Sequence, residues 1–213
     1  MAIQILGADG STTQQLDSTF QASRVTLRPC QVTSYVSVGA QTGLITTVAA
    51  NGAIFSLRNL SSNLLLVRRV GVKFVCTTAF TTAQRVDYGL MAARAFTASD
   101  TGGTAIALTG NNCKVRTSLG TLTSVDCRIA TTGALTAGTK TLDTNTVAQD
   151  SGWIGAIGAS FGAADNLLSQ ASGDYPVVLA QNEGFNIMNL TLMGATGVGI
   201  AYVNLEIAEA VSY

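Results

Sequence analysis

Hydrophobic and polar residues alternate along much of this chain with the period of two that extended backbone imposes, since successive side chains on a strand point to opposite faces. From Arg69 to Cys76 the alternation is strict: Val70, Val72, Phe74 and Cys76 share one face, and Arg69 and Lys73 point the other way. Val32, Val36 and Val38 mark one face of an earlier strand, and Val203, Leu205 and Ile207 oppose Asn204 and Glu206 in a strand over 197–209. Residues 84–94 read as a long strand. Pro176 opens an apolar run to Ala180 that turns through Asn182-Glu-Gly184 into a strand from Phe185 to Met193. A hairpin is predicted where Leu44 to Ala49 meets Ala53 to Arg58 across Asn51-Gly52, because Asn-Gly supplies the positive φ angles of a type I′ turn.

Helical periodicity is nearly absent, with Ala164 to Ala171 the one short candidate. Eight or more strands separated by closely spaced turn signals predict an all-β fold, a single β-sandwich most simply built as a jelly roll. Residues 1–22 read as an extended N-terminal arm, followed by a sandwich domain over 23–213 in which Arg24 to Arg28 ends at Pro29 like an edge strand. Residues 97–145 form a long insertion, sparse in apolar residues and dense in Gly and Thr. A structureless loop of that length is unusual in a compact domain, so it is expected to form extra strands or an arm completed by a neighbouring subunit. The Gly-rich stretch 151–162, carrying Trp153 and Phe161, is also expected to order against something.

Composition moves the reading away from catalysis. The 213 residues include no histidine, which removes the commonest general base, proton shuttle and metal ligand together. Charged residues make only 11% of the chain, so its polar surface is carried largely by Thr, Ser, Asn and Gln. Cys30, Cys76, Cys113 and Cys127 are widely spaced, without a C-x-x-C pair. They read as reduced and mostly buried thiols, a Cys113 to Cys127 bridge being the one conceivable link. The start of the chain has no basic n-region and no long apolar segment, and no apolar run approaches bilayer length, so synthesis in the cytoplasm and no membrane contact are expected.

Net charge is zero, yet it is partitioned. Nine basic residues against three acids lie between Arg58 and Arg128, whereas seven acids and no base lie from Asp143 onward. Either the two sets interleave within one sandwich, or unlike surfaces meet between copies or within a larger assembly. On the second reading Arg68, Arg69, Arg85, Arg94, Lys114 and Arg116, with Trp153 and Phe161, are the candidate interface residues. A nucleic-acid footprint would raise the net charge and interleave aromatics, so nucleic acid is not an expected partner.

The remaining motifs have plainer explanations than chemistry. Asp100-Thr-Gly102 matches the aspartic-protease tripeptide, but Ala98-Ser99 before it and Gly103-Thr104 after it read as a turn. Gly194-Ala-Thr-Gly197-Val-Gly199 has the glycine content of a nucleotide loop without the following Lys or the helix, so no cofactor is expected. No carboxylate pair stands out for glycoside hydrolysis, and Asp87 and Asp126 lie near Arg residues that would keep them ionised. The chain reads as a non-enzyme.

Several segments together resemble virion-associated proteins of tailed bacteriophages: Phe55-Ser-Leu-Arg-Asn-Leu, Thr82-Ala-Gln-Arg-Val-Asp-Tyr, Ala92-Ala-Arg-Ala-Phe-Thr-Ala-Ser-Asp-Thr-Gly-Gly-Thr, Lys114-Val-Arg-Thr-Ser, Arg128-Ile-Ala-Thr-Thr-Gly-Ala-Leu-Thr-Ala-Gly-Thr and Tyr175-Pro-Val-Val-Leu-Ala-Gln-Asn-Glu-Gly-Phe. The resemblance spans roughly residues 53–210 and implies a head protein of the capsid decoration or cement type, a β-sandwich that clamps neighbouring major capsid subunits on the virion surface. Its implied partners are the major capsid protein and further copies of itself, as a dimer or a trimer. Two other classes stay open: a receptor- or glycan-binding domain of a tail fibre or tip, with Trp153, Tyr175 and Tyr35 as candidate aromatics, and a jelly-roll major shell protein.

Overall fold

The computed structural model describes residues 32–122, 124–169 and 176–211. Among the described residues the chain is all β, with thirteen strands in two antiparallel sheets. The first sheet runs β1 (Val32–Gln41), β13 (Val198–Ala210) and β3 (Leu64–Thr78), with the short strands β9 (Ser160–Gly162), β10 (Leu168–Ser169) and β11 (Val177–Leu179) along the far side of β3. The second runs β5 (Thr104–Ala105), β6 (Val125–Ile129), β2 (Gly52–Asn59), β12 (Gly184–Asn189) and β4 (Gln84–Arg94), with β7 (Thr141–Leu142) and β8 (Ala148–Ile154) on the outer side of β4. The last strand lies between the first and third, and the strand before it between the second and fourth. That order, with the chain crossing repeatedly between sheets, is the jelly roll expected from the strand pattern.

The inward faces are the predicted ones except at Val32, where a register shift before Ser34 turns the side chain away from the core face of Val36 and Val38 to pack with Leu66, Ala208 and Ala210. Val70, Val72, Phe74 and Cys76 of β3 and Val203, Leu205 and Ile207 of β13 enter one main core with Phe55 and Leu57 of β2 and Phe185 and Ile187 of β12. Aromatic rings fill its centre: Phe74 lies 6.3 Å from Tyr88 and 6.1 Å from Phe161, and Tyr88 stacks on Phe161 at 5.8 Å. Gly199 of β13 is required there, because a Cβ at that position would overlap the Phe74 ring. Burial pushes the Tyr88 hydroxyl far above its ordinary pKa, which keeps it neutral.

Two local expectations are corrected. A turn forms, closed by Gly52 N–H donating to Ala49 O at 3.0 Å, but only Asn51 takes a positive φ (60°), so it is not the type I′ Asn-Gly turn, and Leu44 to Ala49 is not the partner strand of β2. Residues 42–51 cross from one sheet to the other, Ile45 exchanges backbone hydrogen bonds of 2.9 and 3.1 Å with Gly199, and β2 pairs with β12 and β6 instead. The strand predicted there does not form, because Thr47, with φ of 53°, breaks the extended backbone after the Ile45 bridge. The helix proposed from Ala164 does not form. The Val72 N–H donates to Asn166 Oδ1 at 2.8 Å, the Leu167 N–H to Val70 O at 3.1 Å, and Leu168–Ser169 joins β3, so pairing with an exposed strand edge overrides a weak helical preference. Cys113 and Cys127 are unbridged, the first exposed and the second buried.

The 97–145 insertion supplies β5, β6 and β7 to its own sheet, the extra-strand alternative. It also runs along β1, where Ser37 N–H donates to Cys113 O at 2.9 Å, Val115 N–H to Tyr35 O at 3.0 Å and Gly120 N–H to Thr33 O at 2.8 Å. One segment thereby covers the edge strand of the first sheet and extends the second. The arm at residues 1–22, the strand expected before Pro29, and Tyr175 lie outside the described residues.

Two outcomes follow from this core. Phe74→Ala is expected to lower the unfolding free energy by about 3–5 kcal/mol in urea titration, because it opens a cavity shared by both sheets; a loss below about 1 kcal/mol would place the ring outside the core. Burial pushes the Cys76 and Cys127 thiols up, so peptide mapping after iodoacetamide treatment of the native protein at mildly alkaline pH should find Cys113 alkylated and those two protected.

Candidate interaction surface

Most of the charged side chains singled out by the sequence are held within the chain. Glu206 on the outward face of β13 sits opposite Arg69 of β3, pairs with Arg68 at 3.2 Å and Arg69 at 3.5 Å, and accepts a hydrogen bond from the Tyr35 hydroxyl. Arg68 also donates to that hydroxyl at 2.8 Å and lies over the Tyr35 ring. Arg94 pairs with Glu183 at 2.9 Å and Asp143 at 3.5 Å, and its hydrogen bonds to those carboxylates hold its pKa above the ordinary arginine value. These contacts join the basic block to the acidic C-terminal stretch, the interleaving alternative. Arg85 and Arg128 pair locally with Asp87 at 2.8 Å and Asp126 at 3.1 Å.

The other candidates separate cleanly. Lys114 lies against β1 and donates to Leu119 O at 2.9 Å. Arg116 is exposed, with no ion-pair partner among the described residues. Phe161 does not face outward, since its ring closes the aromatic cluster over Phe74 and Tyr88. Trp153 is 73% exposed on β8, beside Arg85 of β4. Tyr35 is occupied by Arg68 and Glu206, which removes it as a free stacking surface.

Trp153 stands at an end of the sandwich where four connections converge. Thr46 Oγ1 donates to Gly197 O at 3.0 Å and Met193 N–H to Val48 O at 2.9 Å, tying the β1–β2 connection to the β12–β13 connection. Phe80 N–H donates to Gly155 O at 3.1 Å and Thr81 N–H to Thr196 Oγ1 at 3.1 Å, adding the β3–β4 and β8–β9 connections. Leu44, Ile157 and Leu192 extend from these loops with exposures of 57%, 71% and 60%. Large apolar side chains on loops that are hydrogen-bonded to one another are presented to solvent rather than folded inward, the character of a contact surface. Sequence reasoning found Trp153 and missed the other three. The signal for Ile157 was an apolar residue inside a Gly-rich turn, Gly155-Ala-Ile-Gly158, whereas Leu44 and Leu192 each precede a buried apolar residue, Ile45 and Met193, and carried no such signal.

Asp100 is no solvated turn residue. It is buried, ion-paired to Lys140, and accepts hydrogen bonds from Gly138 N–H and Asn186 Nδ2, each at 2.6 Å. Burial raises its pKa, but bonding to Lys140, Ser56, Gly138 and Asn186 outweighs that and holds it below the usual carboxylate value. Among the described residues no second carboxylate bonds into this site as a protease dyad requires. Among the described residues no group of three or more His, Cys, Asp or Glu is placed to hold a metal ion. Asn59-Leu-Ser61 and Asn189-Leu-Thr191 have the formal pattern of glycosylation sequons, but both asparagines are buried and use their amides to bond backbone carbonyls.

Trp153 is the only tryptophan, so fluorescence reads this surface directly. The free protein should emit like solvated indole and be quenched readily by acrylamide. Trp153→Ala should leave stability within about 0.5 kcal/mol, whereas Glu206→Gln should cost about 1–2 kcal/mol by stripping two arginines and Tyr35 of their shared acceptor. No protein-family model matches the chain, and the search among curated proteins returned no significant match.

Proposed function

We propose that this protein is a structural component of a virion, a capsid decoration or cement protein that docks on the outer head surface and stabilises contacts between major capsid subunits. The observation that carries this reading is the loop end of the jelly roll, where Leu44, Trp153, Ile157 and Leu192 are exposed while Arg68, Arg69, Arg85, Arg94 and Arg128 are engaged in ion pairs within the chain. Apolar and aromatic side chains with little free charge suit the desolvated centre of a protein interface. Jelly rolls recur in viral capsids, and many copies binding only the assembled shell stabilise it by mass action. A sugar-binding role at a tail tip is the second reading, favoured by Trp153, whose exposed ring could stack on a glycan.

Purified protein added to heads of the encoding phage or prophage that lack it should bind to saturation, with Trp153 emission shifting to the blue and acrylamide quenching falling. Trp153→Ala combined with Ile157→Ser should weaken attachment at least tenfold in a sedimentation assay. Cryo-EM density bridging capsomers is the expected image. Density at the tail tip would replace this reading with receptor binding, and density forming the continuous shell itself would make the chain the major shell protein.

A further inference from the structure

Between the outward face of the second sheet and the insertion that folds across it lies a polar site built from three distant parts of the chain. Ser56 of β2 and Asn186 of β12 are register partners, and both point outward into the site. Asp100 follows β4, and Lys140 immediately precedes β7. The Asp100 side chain is 0% exposed, the Lys140 side chain 6% and Asn186 0%. Lys140 Nζ donates to Asp100 Oδ1, and Asn186 Nδ2 donates to Asp100 Oδ2 at 2.6 Å. One carboxylate therefore holds an amine and a carboxamide, each on its own oxygen. The Lys140 Nζ also lies 5.4 Å from the centre of the buried Phe96 ring, which shields the amine from water. Asn186 Oδ1 is buried without a hydrogen-bond partner.

We propose that Lys140 and Asn186 become joined by an amide bond from Nζ to Cγ, formed by the protein itself with Asp100 as proton carrier. The site favours the ionised carboxylate at rest, so the first step is a transient, uphill transfer of a proton from Nζ to Asp100 Oδ1 along the hydrogen bond already in place, which leaves a free amine beside a neutral acid. The neutral acid is now a donor, and a turn of the Asn186 carboxamide brings the unpartnered Oδ1 to it, polarising Cγ. The Nζ lone pair attacks Cγ, the C–Nδ2 bond breaks, and Asp100 relays a proton from Nζ to Nδ2, which departs as ammonia. Lysine ammonium, aspartate and carboxamide become a secondary amide, a protonated Asp100 and ammonia, so atoms and charge balance with no outside reagent. Fixing three groups against one carboxylate in a dry site supplies the proximity that an amine and an unactivated amide lack in solution. Ser56 and Gly138 N–H hold the carboxylate in place, and a Cβ on Gly138 would overlap the Ala98 and Ser99 carbonyls, so the loop can approach only with glycine there.

Intact mass of the denatured full chain is the test. The expected mass falls short of the sequence, allowing for initiator-methionine removal, by one ammonia, and digestion should yield one branched peptide joining Lys140 to Asn186. Lys140→Arg and Asp100→Ala should each restore the full mass. Asn186→Asp should keep the link but lose water in place of ammonia. An unshifted mass overturns the proposal. So does loss of water from the unaltered chain, which would place the bond between Lys140 and Asp100, or loss of ammonia that survives Lys140→Arg. Because each readout is a mass, a variant that fails to fold still reports, and the unaltered chain decides the question alone.

Discussion

The backbone ladder of β13 is the constraint on which the first sheet depends. Its residues pair with β1 on one side from Tyr202 to Ala210 and with β3 on the other from Val198 to Ala210. β1 reaches the sheet only through it, so the first strand has no place in the sandwich until the last one arrives. Such pairing spans nearly the whole described chain and must be reached against loop-closure entropy, which makes folding slow and leaves strand edges open meanwhile. The molecule closes those edges afterwards with short pieces: β9, β10 and β11 along β3, β7 and β8 along β4, and the insertion along β1.

This division explains what the sequence disclosed. The long strands were legible because each buries one face, and a period of two over eight or more residues has no other explanation; β3, β4 and β13 all read correctly, and their number predicted the jelly roll. The short strands were not legible, because two or three residues carry no period. Residues 44–49 show the limit differently: predicted as a strand, they meet β13 at the single Ile45 bridge, and Thr47, with φ of 53°, breaks the extension. The β12 strand obscured its own polarity, since all six of its residues are buried. Its inward Phe185 and Ile187 meet the core, while its outward Asn186 is covered by an insertion whose folding no local pattern announces.

Charge behaves the same way. The split between a basic middle and an acidic end suggested surfaces meeting between copies, yet Glu206 gathers Arg68 and Arg69, and Arg94 takes Glu183 and Asp143. Partly buried bonds of this kind fix cross-strand register more than they add stability, because desolvation offsets much of the attraction. Their consequence for contact is subtractive. With most arginines engaged, a partner docked as proposed on the loop end that carries Trp153 would be recognised mainly through shape and apolar area, which demands close fit and gives little long-range steering. That combination suits a component that meets many identical sites at high local concentration.

The buried carboxylate under the insertion is where the fold departs furthest from cheap construction. A hydrophobic trio at positions 100, 140 and 186 would cover the sheet without desolvating two charges, and replacing buried ion pairs by apolar residues is often neutral or stabilising. The position of the charges matters more than their number. Asp100 and Lys140 lie outside the strands whose inward faces form the apolar core, and sit where a Gly- and Thr-rich segment with little apolar area must be kept on the sheet. An ion pair there holds the segment only while the site stays dry, and each opening of the loop rehydrates Lys140 and Asp100. An amide link to β12 removes that weakness: the insertion can then loosen without leaving, the buried charges are discharged as neutral groups, and attachment no longer depends on how well the segment packs.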